Sequence, residues 1–249
     1  MASLRINRAL AATGYCSRRA ADRLIEEGRV KVNGKPVTDF NLAVDPDRDI
    51  IAVDDQELSS RDHVYVAFHK PRGAITTMRD EKGRQTVLDL LPEELQHLKP
   101  VGRLDRDSEG LLILTNDGEF AHRLAHPSRT RHVWKTYRVR VDGRLSDRAV
   151  AALEEGMLLS EGAERGSERE RTLPARVTNI SYDKECTIFS ISIREGRNRQ
   201  IRRMCAKLGY PVIRLVRVAI GRLQLKPMEP GEWKYLTRSD LDKLTDPGR

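Results

Sequence analysis

Apolar residues recur at helical spacing across residues 4–12, and Gly14 follows as a residue that can end a helix through a positive φ. A second helix is predicted from Ser17, a good N-cap, with Ala20, Ala21, Leu24 and Ile25 on its apolar face and Gly28 as its stop. Arg19 and Arg23, four apart, then share the exposed face. The period switches to two at Val30 and Val32, which alternate with Lys31 and Asn33 before Asn33-Gly34, the strongest short hairpin signal. An acidic stretch at 39–57, with strand-like IIAV at 50–53, completes this small unit, and SSRD at 59–62 reads as a linker. The predicted domains are therefore 1–61 and 62–249.

Beyond the linker, strand-like runs dominate: HVYVAFHK (63–70), LLILT (111–115), KTYRVRV (135–141), ARVTNISY (175–182) and CTIFSISIR (186–194). Helical patterns are fewer, chiefly SDRAVAALEEG (146–156), opened by Ser146, and NRQIRRMCAKLG (198–209). Strands outnumber helices without a regular βαβ rhythm, so the expected class is α+β on a mixed, mainly antiparallel sheet. The polar, aperiodic segment 160–172 reads as a surface loop that carries no chemistry.

Charge sharpens this picture through its distribution more than its sum, since Lys and Arg exceed Asp and Glu by only 45 to 37, a net +8. Residues 1–37 hold eight basic residues and three acidic ones, whereas 194–226 hold ten basic residues against Glu195 alone. With a third basic run at 123–140, three separated clusters point to a polyanionic partner. No apolar run approaches the length of a membrane span, and MASLRINRAL lacks the apolar centre of a secretory signal, so a cytoplasmic protein is expected. Cys16, Cys186 and Cys205 are odd in number and far apart, which reads as three reduced structural thiols. His122 and His126, four apart, lack a third ligand or an adjacent Glu, so no metal is expected.

Residues 16–37, CSRRAADRLIEEGRVKVNGKPV, resemble the small RNA-binding domain first described in ribosomal protein S-four. The resemblance implies a helix and hairpin set against an RNA phosphate backbone, which suits Arg18, Arg19, Arg23, Lys31 and Lys35. Downstream, Asp105 lies in VGRLDRDSEGLLILTNDG (101–118), bracketed by Gly102 and Gly110. On composition alone such an Asp is a turn or cap residue. However, GRLDRDSEGLLILTNDG resembles the active-site motif of the pseudouridine synthases of the RsuA, RluB, RluE and RluF group. KTYRV (135–139), EGRNRQIRRMC (195–205) and PVIRLVRVAIGRLQL with PGEWKYLT (211–237) follow in that family's order. CSRRAAD and QIRRMCAKLGY lean toward RluF-like members and HRLAHPS (122–128) toward RluB-like ones, which implies large-subunit (23S) ribosomal RNA, or a precursor ribosomal particle, as partner.

Turning a uridine into pseudouridine breaks a nitrogen–sugar bond and remakes it through carbon with no net exchange of electrons, so no cofactor is expected. By the resemblance, Asp105 is the nucleophile, at the ribose anomeric carbon or the uracil ring. Arg202 is its cation, binding it bidentately, and Tyr137 stacks on the target base. Asp107 and Asp117 read as turn or cap residues. Arg103, Lys135, Arg197, Arg199 and Arg203, with the basic run 129–140, are suited to holding the RNA backbone while the base leaves its stack. A non-catalytic RNA-binding assembly factor would need the basic clusters but would have no use for Asp105 beside Arg202 and Tyr137. A synthetase fragment with a similar appended module finds no support, because the chain carries no nucleotide-binding motif.

Overall fold

The computed structural model describes residues 3–45, 48–58, 62–78, 80–125, 133–159, 170–225 and 227–245. The chain divides into two compact units, residues 1–65 with 115–120, and residues 66–114 with 121–249. Residues 59–61 of the expected linker at 59–62 lie outside the described residues.

In the first unit the helices Ile6–Ala12 and Arg18–Glu26 form as the apolar spacing requires, and the Ser17 hydroxyl accepts from Ala20 N at 3.2 Å. Val30–Val32 pairs antiparallel with Lys35–Pro36 across Asn33 (φ 50°) and Gly34 (φ 78°), the two positive φ values that a type I′ turn demands. Ile51–Val53 adds a strand on the other side of Val30–Val32. Ile6, Leu10, Ala21, Ile25, Val30, Ile51 and Val53 close a core in which each large apolar side chain contributes about 1.5–3 kcal/mol.

The acidic stretch has a definite task. Asn33 Nδ2 donates to Asp49 at 2.8 Å and its Oδ1 accepts from Ile50 N at 2.9 Å, so the turn is latched to the segment that precedes the third strand. Arg29 pairs with Asp54 and Glu27, and Lys31 with Asp55. These pairs neutralise the base of the hairpin and leave Arg18, Arg19, Arg23 and Lys35 exposed, without an ion pair among the described residues. Asp117 is a cap, as expected, accepting from Glu119 N and Phe120 N, and it also accepts from the Tyr65 hydroxyl at 2.7 Å.

The second unit is built on a sheet of nine strands among the described residues. Its main path runs Arg176–Asp183, Cys186–Ile193, Lys135–Asp142, Val212–Ile220, Glu109–Thr115, Tyr65–Lys70 and Trp233–Tyr235. The first four strands of that path pair antiparallel, while Val212–Ile220 runs parallel to Glu109–Thr115 at Val216↔Glu109 and Arg217↔Gly110. The class is thus α+β, with a mixed and mostly antiparallel sheet. Asp147–Glu155 starts at its Ser146 cap, and Gln200–Lys207 buries Gln200, Ile201, Met204 and Cys205 against the sheet unit. Burial pushes the Cys205 thiol up to about 12, as suits an inert packing residue.

The 160–172 loop is corrected in part. Residues 160–169 lie outside the described set, but Glu170–Arg171 pairs antiparallel with Leu158–Leu159, and Thr172 is buried with its hydroxyl accepting from Met157 N at 2.9 Å. A ladder of two residues is too short to leave a period in the sequence. Among the described residues no helix is long and apolar enough to cross a membrane.

Candidate active site

Asp105 sits on the segment that links the strands Lys99–Val101 and Glu109–Thr115, and the surrounding chain ties that segment down on both sides of it. The Thr76 hydroxyl donates to Leu104 O at 2.8 Å, Gly73 N donates to Arg106 O at 2.7 Å, and Ser108 N closes a turn on Asp105 O at 3.1 Å. Beneath the turn lies Lys70, fully buried, donating to Ser108 O at 2.8 Å and to Pro71 O at 3.0 Å. Burial pulls the Lys70 ammonium down to about 8, with Asp105, Asp107 and Glu109 pulling the other way.

A pocket of about 270 Å³ opens above this turn, at the lower edge of the volumes that take a drug-sized molecule and so suited to a single nucleoside. Leu104, Ile193, Ile201 and Leu215 give it apolar walls, Asp105 and Tyr137 line it, and Arg103, Arg197 and Arg199 stand around it. Tyr137 is only 8% exposed, on the face of Lys135–Asp142 opposite the exposed Arg138, and its hydroxyl makes no hydrogen bond among the described residues. Lys135, two residues earlier on the same face, sits within the structure near Gly196 and not on an open surface. Burial lowers its pKa, and the neighbouring Arg217 lowers it further.

The ion pairs differ from the arrangement the resemblance implied. Arg202, with a side chain 12% exposed, is not paired bidentately with Asp105; its Nη2 donates to Asp107 O at 2.7 Å, and its Nε lies 3.3 Å from Asp107 Oδ2, off line for a hydrogen bond. Arg199 instead takes the bidentate geometry, on Asp107, and reaches Asp105 Oδ2 only at 3.9 Å. The cause is local: Arg199 is the N-cap of Gln200–Lys207 in the left-handed region, φ 48° and ψ 32°. Asp107 is therefore more than the turn residue it resembles in sequence. Burial lowers the Arg202 pKa while Asp107 opposes that effect.

Of the other predicted RNA contacts, Arg197 bonds Glu195 and Arg171 O, and Arg203 bonds Asn198 O, while Arg103 is exposed. Two buried cations escaped the sequence reading, Lys70 and Arg217; the latter is 3% exposed and donates to Leu111 O at 2.7 Å. A lysine closing an apolar strand before Pro71 was the only sign of the first. Residues 126–132 of the basic run, His126 among them, lie outside the described residues.

An uncommitted carboxylate over an apolar, base-sized pocket edged with arginines, in a chain that also carries a basic helix–hairpin module, defines an enzyme that works on one nucleotide of an RNA. The chain belongs to the RNA pseudouridylate synthase family, whose model matches residues 64–207, and an S4 domain model matches residues 4–50. It is 40% identical to the Ribosomal large subunit pseudouridine synthase B of Bacillus subtilis (strain 168) over 96% of this chain and 95% of that one. An uncharacterized RNA pseudouridine synthase of Aquifex aeolicus (strain VF5) is 36% identical over 98% of this chain and 94% of its own. Among solved structures, a crystal structure of a pseudouridylate synthase superposes with a TM-score of 0.67 at 33% identity, covering 97% of this chain and 100% of that one. The protein is accordingly an RNA pseudouridine synthase, an isomerase.

Proposed function

We propose that the protein converts a uridine of large-subunit (23S) ribosomal RNA to pseudouridine, in the cytoplasm and without a cofactor, with Asp105 as the nucleophile. The observation that carries this is the state of Asp105: its carboxylate lines the pocket and accepts no hydrogen bond among the described residues, although Arg199 comes within 3.9 Å of it. The 40% identity to a large-subunit enzyme supports the choice of RNA.

In this reading Asp105 attacks the ribose anomeric carbon or the uracil ring, the bond from N1 to C1′ breaks, and the base turns. The bond from C5 to C1′ then forms as the bond to Asp105 breaks and the carboxylate is released; C5 loses its proton and N1 takes one up, so no atom is gained or lost beyond that exchange with solvent. Tyr137 and the apolar walls hold the ring flat during the turn, and Arg202 ties the helix Gln200–Lys207 to the Asp105 turn. Extracting the base from its stack costs a few kcal/mol, which backbone contacts offset. Incubation with 23S, 16S and tRNA transcripts carrying tritium at uridine C5, followed by mapping of pseudouridines, tests the proposal. Release from 23S RNA at one position is expected; release from 16S RNA or tRNA alone would sink the choice of substrate.

The RNA grip is assigned to a module ending near residue 61, through Arg18, Arg19, Arg23 and Lys35, with Lys31 weakened in that role by its pairing with Asp55. Substituting Arg19, Arg23 and Lys35 together by Gln should weaken RNA binding and flatten the slope of log K against log salt by about 2, at roughly 0.7–0.9 per lost phosphate contact. Titrations at four salt concentrations measure this; an unchanged slope means that these side chains do not touch phosphate.

A further inference from the structure

Asp107 stands two residues past Asp105, and its carboxylate is far more engaged. Arg199 Nη1 and Nη2 donate to its two oxygens at 2.9 and 2.8 Å, and Arg202 adds an ion contact of 3.3 Å. Among the described residues, Asp105 is in ion contact with Arg199, at 3.9 Å. We propose that Asp107 is a positioning residue: it binds Arg199 and Arg202 so that their charge reaches Asp105 while the Asp105 oxygens stay free to attack. This rests on the reading of Asp105 as nucleophile.

The physical case turns on range. A carboxylate locked in a bidentate guanidinium pair has its lone pairs committed and must break two strong hydrogen bonds before it can approach carbon. Coulomb attraction falls only as inverse distance, so a shift from 2.8 to 3.9 Å keeps about seven-tenths of it, whereas the hydrogen bond is lost. Asp107 thus takes the hydrogen bonds, and because two guanidiniums face its single carboxylate, a net positive charge remains to act on Asp105. The Arg199 hydrogen bonds hold the Asp107 carboxyl below the ordinary carboxylate range against the opposing effect of burial, as a committed ion pair requires. The backbone is consistent with this: Arg199 occupies a left-handed conformation that side chains with a Cβ rarely adopt, and it persists where surrounding contacts fix it. Stability is a poor explanation for the pair, since both side chains are about a third or more exposed and such pairs contribute little to folding.

The test compares Asp107→Asn, Asp107→Glu and the double variant Asp107→Asn/Arg199→Gln with the wild-type chain, using tritium release from a 23S transcript and circular dichroism. Without the Asp107 charge Arg199 swings onto Asp105, while Arg202 stays on the backbone carbonyl of position 107. Asp107→Asn should then lower kcat about 30- to 100-fold with KM for RNA within about threefold, and Asp107→Glu should restore most of the loss. Removing Arg199 as well should free Asp105 again, so the double variant should turn over at least about fivefold faster than Asp107→Asn. A double variant no faster than Asp107→Asn overturns the proposal, as does an Asp107→Asn enzyme within about threefold of wild-type kcat. Loss of the folded spectrum in Asp107→Asn also overturns it, because the pair would then be a stability element. Asp105→Asn, assayed in parallel, separates the two readings: activity there removes the nucleophile assignment, whatever the Asp107 variants do.

Discussion

Asp105→Asn is expected to lose turnover by about 10⁴-fold or more while keeping RNA affinity within about threefold. The substitution keeps the shape of the side chain and removes the charge that attacks. Little in the fold depends on that charge: the Asp105 carboxylate accepts no hydrogen bond among the described residues, and the turn is held at its backbone carbonyls by the Thr76 hydroxyl, Gly73 N and the Lys70 ammonium. Affinity survives because phosphate contacts supply most of it and lie with other side chains. Removing a negative charge beside the RNA can only favour association. Single-turnover tritium release and filter binding on the same transcript measure the two quantities. A variant that makes pseudouridine near the wild-type rate would end the nucleophile assignment, and a loss of affinity matching the loss of rate would indicate a binding role.

Where local rules decide the structure, the sequence was sufficient. Ser17 and Ser146 cap the helices they precede, Asn33-Gly34 turns the hairpin, and the alternation in KTYRVRV puts Tyr137 on the buried face. What failed was set by tertiary placement. Val212–Ile220, which joins the antiparallel strands to Glu109–Thr115, shows in the sequence as part of a family motif and not as a strand, because Arg214 and Arg217 interrupt its apolar run. Both arginines have partners only the fold supplies: Arg214 on Glu109 at 2.8 Å, Arg217 on Leu111 O. The clamp on Asp107 was hidden for the same reason. An arginine has no intrinsic preference for positive φ, so nothing in GRNRQIRR shows that Arg199, and not Arg202, takes the bidentate pair. The motif located the site, whereas the pairing within it came from the geometry.

Gly110→Ala should destabilise the fold strongly. Position 110 has φ +111°, and a Cβ built there would lie 2.3 Å from Arg217 O, 2.5 Å from Arg217 N and 2.9 Å from Arg217 C. Those are backbone atoms, so no side chain can rotate away. Nor is the backbone of Arg217 free to yield: it pairs with Gly110 on one side and with Tyr137 on the other, and its side chain is tied to Leu111 O at 2.7 Å. Relief therefore requires Val212–Ile220 and Glu109–Thr115 to separate at their parallel pairing. That would disturb the end of the Asp105 turn and the strand neighbouring Tyr137 together. Strain from the positive φ adds to the overlap, and the combined loss should be about 3–5 kcal/mol, or roughly 8–15 °C in Tm for a chain of this size. Gly118→Ala is the control, because a Cβ at Gly118 meets nothing within 4 Å and it opens the helix Gly118–Ala125, so its effect should stay within about 0.5 kcal/mol. Calorimetric melting of both variants decides the matter. If Gly110→Ala melts within about 2 °C of the wild-type protein, the two strands do not approach as closely as the structure places them.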